Sequence, residues 1–207
     1  MSTITTPTTT THGTFTGPER SARIVCGLAA AAAVVPFTLA GLNGDSGSEI
    51  TTGLLDETVP LTVASIVAVL ASAGLFLAAA RLSEAIGGMA GRVAAGAGSA
   101  VALMFALYYS TFGAAAVVAS QMLEEPGAGL GEASSLLLNL AEITRYAPGL
   151  ALVAAVFVAR RRLPRLVGIS AGVLAFLTIV PLTSWVAALL IPLWLGGSAA
   201  LVRVHHG

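Results

Sequence analysis

Lysine is absent from this chain, charged side chains make up only 10% of it, and cysteine occurs once. Each shortage excludes something. Soluble domains carry about a quarter charged residues, so a water-soluble globule is not expected. The single Cys26 rules out an intrachain disulfide, and no CxxC or Cys/His cluster suggests a metal site. Histidine occurs only at His12, His205 and His206, outside every apolar run. Bis-histidine haem within a membrane, an HExxH zinc enzyme and a histidine-assisted intramembrane serine protease therefore lack their ligands or base. Neither a Walker A loop nor a dinucleotide fingerprint is present. The "GISAG" run around Ser170 differs from a GxSxG elbow in the position of its serine, and its small residues suit helix packing better. No cofactor, no metal and no catalytic residue is expected, and the chain is read as not an enzyme. Ten arginines balance ten acidic residues without forming a clustered face, so nucleic acid is not an expected partner.

What is present is apolar. Hydrophobic residues make up 56% of the chain and the mean hydropathy is +0.90. About 20 apolar residues cross the hydrocarbon core as a helix. Six stretches approach that length, at residues 23–42, 60–80, 93–122, 135–159, 166–182 and 185–202. They predict an all-α, polytopic integral membrane protein, a six-transmembrane-helix bundle over residues 19–207. Residues 1–18 are rich in threonine and poor in apolar side chains, as expected of a disordered cytoplasmic tail. The fifth and sixth stretches share the tight turn "PLTSW", where Trp185 suits an interface.

The arginines supply an independent test of that reading. Arg20 and Arg23 precede the first stretch, and Arg81 and Arg92 flank the loop after the second. Arg160, Arg161, Arg162 and Arg165 follow the fourth, and Arg203 follows the sixth. The alternate loops "NGDSGSEITTGLLDETVP" and "LEEPGAGLGEAS" are acidic, with Asp45, Glu49, Glu124 and Glu125 read as solvated loop charges. Positive charge thus recurs on one side, which predicts both termini in the cytoplasm. The run "RIVCGLAAAAAVVPFTLAG" also resembles a signal-peptide core, with cleavage after Ala40; a retained first span is favoured because the run and the tail before it are long. Arginine- and alanine-rich usage suggests a high-GC bacterial gene and a multi-pass place in the bacterial cytoplasmic (inner) membrane.

Small residues four apart predict close helix packing: Ala64, Ala68 and Ser72; Ala106, Ser110 and Ala114; Gly168 and Gly172. These stripes are read as intramolecular, with a homodimer less favoured. Pro36 and Pro192 are expected to kink their helices.

One stretch interrupts the apolar pattern. In "LNLAEITRYAPG", Asn139, Glu142, Arg145 and Tyr146 share a helix face with Ser135 and Gly149. Arg145 lies roughly 22 Å of helix from Arg160, and Tyr108 and Tyr109 stand at a similar height above Arg92. If the faces turn inward, Glu142, Arg145, Asn139, Tyr146, Tyr108 and Tyr109 form a polar pocket open to the outside. The simpler reading pairs Glu142 with Arg145 at i, i+3 and treats the tyrosines as packing aromatics. The arginine run at Arg160, Arg161, Arg162 and Arg165 sets topology first and offers contact to anionic lipid second. Function follows these alternatives: a non-catalytic scaffold or accessory subunit, or a small transporter or ligand sensor using the outward pocket. The lipid bilayer is the expected partner, with a second membrane protein or another copy beside it.

Overall fold

A computed structural model describes residues 17–39, 47–121, 128–180 and 183–204. The threonine-rich stretch up to residue 16 lies outside the described residues, as do the side chains of Glu142, Arg145 and Trp185. Of the described residues 93% are helical and none is in a strand, so the fold is all-α. The helices are α1 (Gly17–Ala32), α2 (Val34–Leu39), α3 (Gly47–Asp56), α4 (Thr58–Ile86), α5 (Gly88–Gln121), α6 (Ala128–Val158), α7 (Arg165–Ile179) and α8 (Ser184–Leu201). A single 3-10 turn, Arg160–Arg162, joins α6 to α7. Among the described residues, three segments are long and apolar enough to cross a membrane: Gly17–Leu39, Thr58–Ile86 and Gly88–Gln121.

Local chemistry explains most of the boundaries. Pro18 stands in the first turn of α1, where its missing N–H costs nothing. Pro36 cannot donate to the Ala32 carbonyl, and the helix breaks at Ala33 between α1 and α2. Pro148 in α6 and Pro192 in α8 remove a bond each without ending the helix. Between α4 and α5 the chain reverses over two glycines, Gly87 and Gly88, at φ +67° and +60°. Side chains with a Cβ rarely adopt that conformation, and this pair makes the reversal short. Both helices consequently extend through the segment expected to be a loop, and Arg81 falls inside α4 rather than beside it.

The elements pack as an antiparallel bundle. α4 lies along α5, α5 along α6, and α8 is surrounded by α1, α4 and α7. The larger core cluster draws Cys26, Leu75, Leu82, Ala102, Leu152, Val156, Val167 and Leu195 from six helices. It occupies the end of the bundle where the arginines lie. A smaller cluster at the opposite end joins Leu54 of α3 to Leu61 and Ala68 of α4 and to Tyr109, Phe112 and Ala116 of α5. α3 falls in a segment read from sequence as an acidic loop. Its Thr51 and Leu54 are buried, and the helix packs on α5 and α6.

The small-residue stripes divide. Ala64, Ala68 and Ser72 are buried against neighbouring helices, and Gly168 and Gly172 face α6 and the turn after it, as expected. The α5 stripe is a correction: Ala106 and Ser110 are only half-buried and Ala114 is exposed. The face of α5 that packs instead carries Tyr109, Phe112, Gly113 and Ala116. Aromatic rings bury more area than alanines, and they set the rotation of this helix. Large apolar side chains cover the outside of the bundle, among them Leu28, Leu70, Leu136, Val158, Leu166 and Phe176. A soluble monomer rarely exposes so continuous an apolar surface, whereas lipid tolerates it.

Candidate functional site

Nine of the ten arginines gather at one end of the bundle, on the first two turns of α1, α5 and α7, near the end of α4, on the 3-10 turn, and after α8. Among the described residues, only Glu19 and Glu84 accompany them there. The described acids Glu49, Asp56, Glu57 and Glu132 belong to the other end. This polarity arises because the sequence places arginine in alternate connections and the helices alternate in direction.

Several of these arginines act on helix ends. The last carbonyls of a helix have no intrahelical donor and carry its negative dipole end. Arg23 of α1 donates from Nε to the Ala200 carbonyl at 2.6 Å. Arg81 of α4, only 6% exposed, donates from Nε to Ala199 at 3.4 Å and from a terminal nitrogen to Val202 at 3.3 Å. The last turn of α8 is therefore capped by guanidinium groups from two other helices. Arg162 does the same for α4, donating to the Ile86 carbonyl at 3.1 Å. The sequence presents Arg23 and Arg81 as topology markers alone, and Arg162 as a topology marker and a contact for anionic lipid. A sign of the deeper role was the position of Arg81, which directly follows the apolar residues 75–80 with no proline or glycine between.

The four arginines read from the sequence as contacts for anionic lipid cluster at the connection from α6 to α7. Arg160, Arg161, Arg162 and Arg165 are all exposed. Arg160 sits over the Phe157 ring at 4.3 Å from its centre and donates to the Phe157 carbonyl at 3.1 Å. A shallow groove of about 260 Å³ runs beside it, lined by Phe157, Arg160, Arg165, Gly168 and Ile169. A second, of about 290 Å³, is lined by Glu84, Arg162, Pro164 and Arg203 among others.

The residues expected to form a polar pocket are arranged differently from one another. Tyr108 and Tyr109 stack edge to face at 5.1 Å, and Tyr109 is buried. With Phe105 they line a cleft closed by Ala33, Phe37, Ala188, Ile191 and Pro192. Its walls come from the break at Ala33 and from α2, α5 and α8, and its free volume is about 20 Å³, near that of one water-sized sphere. Asn139 is exposed and donates to Ser135 Oγ at 3.4 Å, and Tyr146 is half-buried; neither lines the cleft. The side chains of Glu142 and Arg145 lie outside the described residues, and of the other four only Tyr108 and Tyr109 line the cleft. A tie between α5 and α6 is made nearby by Thr144, whose hydroxyl approaches Met104 Sδ at 3.8 Å. Ser170, of the "GISAG" run, donates to the Leu166 carbonyl at 2.8 Å and accepts the Trp194 indole N–H at 2.8 Å. That hydroxyl joins α7 to α8.

No family model, no curated protein and no solved structure matches the chain.

Proposed function

We propose that this chain is a small, non-catalytic, six-span protein of the bacterial inner membrane, with its arginine-bearing end in the cytoplasm, acting as a scaffold or accessory subunit. One observation carries the reading: Arg23, Arg81 and Arg162 are engaged with helix carbonyls. Three of the guanidinium groups thus hold the bundle's own ends together. The six-span count adds α6, α7 and α8 to the three long apolar segments. α6 has 31 residues, ample for a crossing. α7 and α8, with 15 and 18 residues, reach about 22 and 27 Å and are served by local thinning of the bilayer. The acidic end then faces outward and the arginines inward, as the charge rule for short loops requires.

An accessory subunit has a stoichiometric partner. The chain, extracted from its native membrane in mild detergent and weighed by native mass spectrometry, is expected in a complex of defined mass with another membrane protein. A chain recovered only by itself, and stabilised by a small organic anion, would instead support the second reading.

That second reading, a small transporter or sensor, has the Tyr108 cleft in its favour, since Pro192 borders it and weakens α8 at that height. Its charged part is tested by a double-mutant cycle of Glu142→Gln and Arg145→Gln. Coupling with no ligand-dependent stabilisation favours the structural pair; stabilisation by an anion that vanishes in Arg145→Gln favours the pocket.

A further inference from the structure

The groove between α6 and α7 joins two kinds of surface that rarely adjoin by chance. At its mouth stand Arg160 and Arg165, with no acidic side chain among the lining residues. The walls are Phe157 and Ile169, both exposed, and its floor is Gly168. The floor is fixed by packing, because a Cβ on Gly168 would come 2.8 Å from Arg160 Cβ. The aliphatic stem of Arg160 therefore lies on the glycine, and its guanidinium extends over the Phe157 ring. Beyond the groove α7 continues with Val173 and Phe176, exposed on the same side as Ile169 by their spacing of four and three residues. Gly172 keeps that track low where the Phe157 ring comes within 3.2 Å of its would-be Cβ.

We propose that this groove is a binding site for an anionic phospholipid of the cytoplasmic leaflet. The phosphate lies between the Arg160 and Arg165 guanidiniums, which suit phosphate through paired N–H donors. One acyl chain runs along Phe157, Ile169, Val173 and Phe176 toward the middle of the bilayer. A free phosphate would use the arginines and leave the apolar walls bare. A zwitterionic lipid would use the walls but bring a cationic group to two guanidiniums. Only a lipid with net negative charge complements both surfaces. The assignment rests on the membrane reading and on the arginine end being cytoplasmic.

The full chain in detergent is titrated with phosphatidylglycerol, phosphatidylcholine and inorganic phosphate, and bound lipid is counted by native mass spectrometry. Phosphatidylglycerol is expected to bind more tightly than phosphatidylcholine, with one preferred molecule per chain. Arg160→Gln with Arg165→Gln should weaken it roughly 30-fold, the factor for two basic residues at an anionic headgroup. Arg20→Gln with Arg92→Gln removes the same charge from exposed positions at the same end and should leave it within about twofold. Equal losses in the two pairs would show diffuse charge and overturn the site, as would inorganic phosphate competing at millimolar concentration. Arg165→Gln alone, which removes no side-chain hydrogen bond to the core among the described residues, serves if the double variant unfolds; unchanged lipid binding there also overturns the proposal. Failure of the membrane reading is seen separately, as recovery of the wild-type chain outside the membrane fraction.

Discussion

Arg81 reaches from α4 under the last turn of α8, its Nε 3.4 Å from the Ala199 carbonyl oxygen. A buried guanidinium is costly unless its donors are satisfied, and helix-end carbonyls satisfy it without bringing a second charge into the core. The residues following α8 are drawn into the same arrangement, since Val202 is buried and also accepts from Arg81. Arg23 supplies the neighbouring bond to Ala200, so three helices are tied at one point.

Replacing Arg81 by Leu should remove both bonds and leave α8 carbonyls without a donor. The expected loss is about 2–4 kcal/mol, from two charge-assisted bonds and the unmet carbonyls. Arg92→Leu, an exposed change on α5, should cost less than about 0.5 kcal/mol. Thermal unfolding of both variants in the same detergent checks the contrast. Equal stability would mean that Arg81 does not hold α8.

The paired glycines of α8 should respond in opposite ways. A Cβ on Gly196 would stand 2.8 Å from the Cys26 carbonyl oxygen and 2.9 Å from Ala30 Cβ, whereas one on Gly197 meets nothing within 4 Å. Gly196→Ala must push α1 away from α8 and should cost about 1–3 kcal/mol. Gly197→Ala meets no such obstacle and should gain up to about 1 kcal/mol from the helix backbone. The same unfolding measurement reads both, and a neutral Gly196→Ala would show that α1 and α8 can separate freely.

Rotation of the helices was harder to read from sequence than their existence. Apolar length located most of the helices, and arginine placement anticipated which of their ends lie together in the bundle. The period of small residues could not say which stripe of α5 packs. Nearly every face of that helix is apolar, so Ala106, Ser110 and Ala114 competed with a stripe led by Tyr109 and Phe112. Ring contacts with Tyr108 and Phe105 decided in favour of the second. α3 escaped notice for a different reason: ten residues beside acidic neighbours carry too short a pattern to separate from a loop. Of the site, the exposed arginine run was legible, while the buried position of Arg81 depended on a two-glycine reversal that brings α4 to Ile86.

Leucine substitutions separate the two stripes. Ala68 is fully buried in the cluster with Tyr109 and Phe112, so Ala68→Leu should overpack it and cost about 1–3 kcal/mol. Ala114 is exposed, and Ala114→Leu should leave stability within about 0.5 kcal/mol. The reverse order of melting temperatures would restore the α5 stripe inferred from spacing.

Topology gives the remaining prediction. The arginine end cannot cross the bilayer readily, because each guanidinium at the membrane centre costs about 2.5–3.5 kcal/mol on insertion scales. Nine at one end against two glutamates there should hold that end in the cytoplasm. Cys26 is fully buried and can be replaced by alanine to give a background free of other thiols. On that background, a cysteine at Gly129, an exposed position at the start of α6, should react with an impermeant maleimide added to intact cells. A cysteine at Met89, 69% exposed beside the α4–α5 reversal, should react only after the membrane is opened. Position 89 is preferable to position 87 because Gly87 has a positive φ that a cysteine would strain. A cysteine at Gly207, following α8, should behave like the one at Met89 if α6, α7 and α8 all cross. If Met89 is protected and Gly207 labels from outside, the last three helices cross an even number of times and the six-span count fails. If Met89 itself labels in intact cells, the arginines face outward and the proposed orientation is wrong.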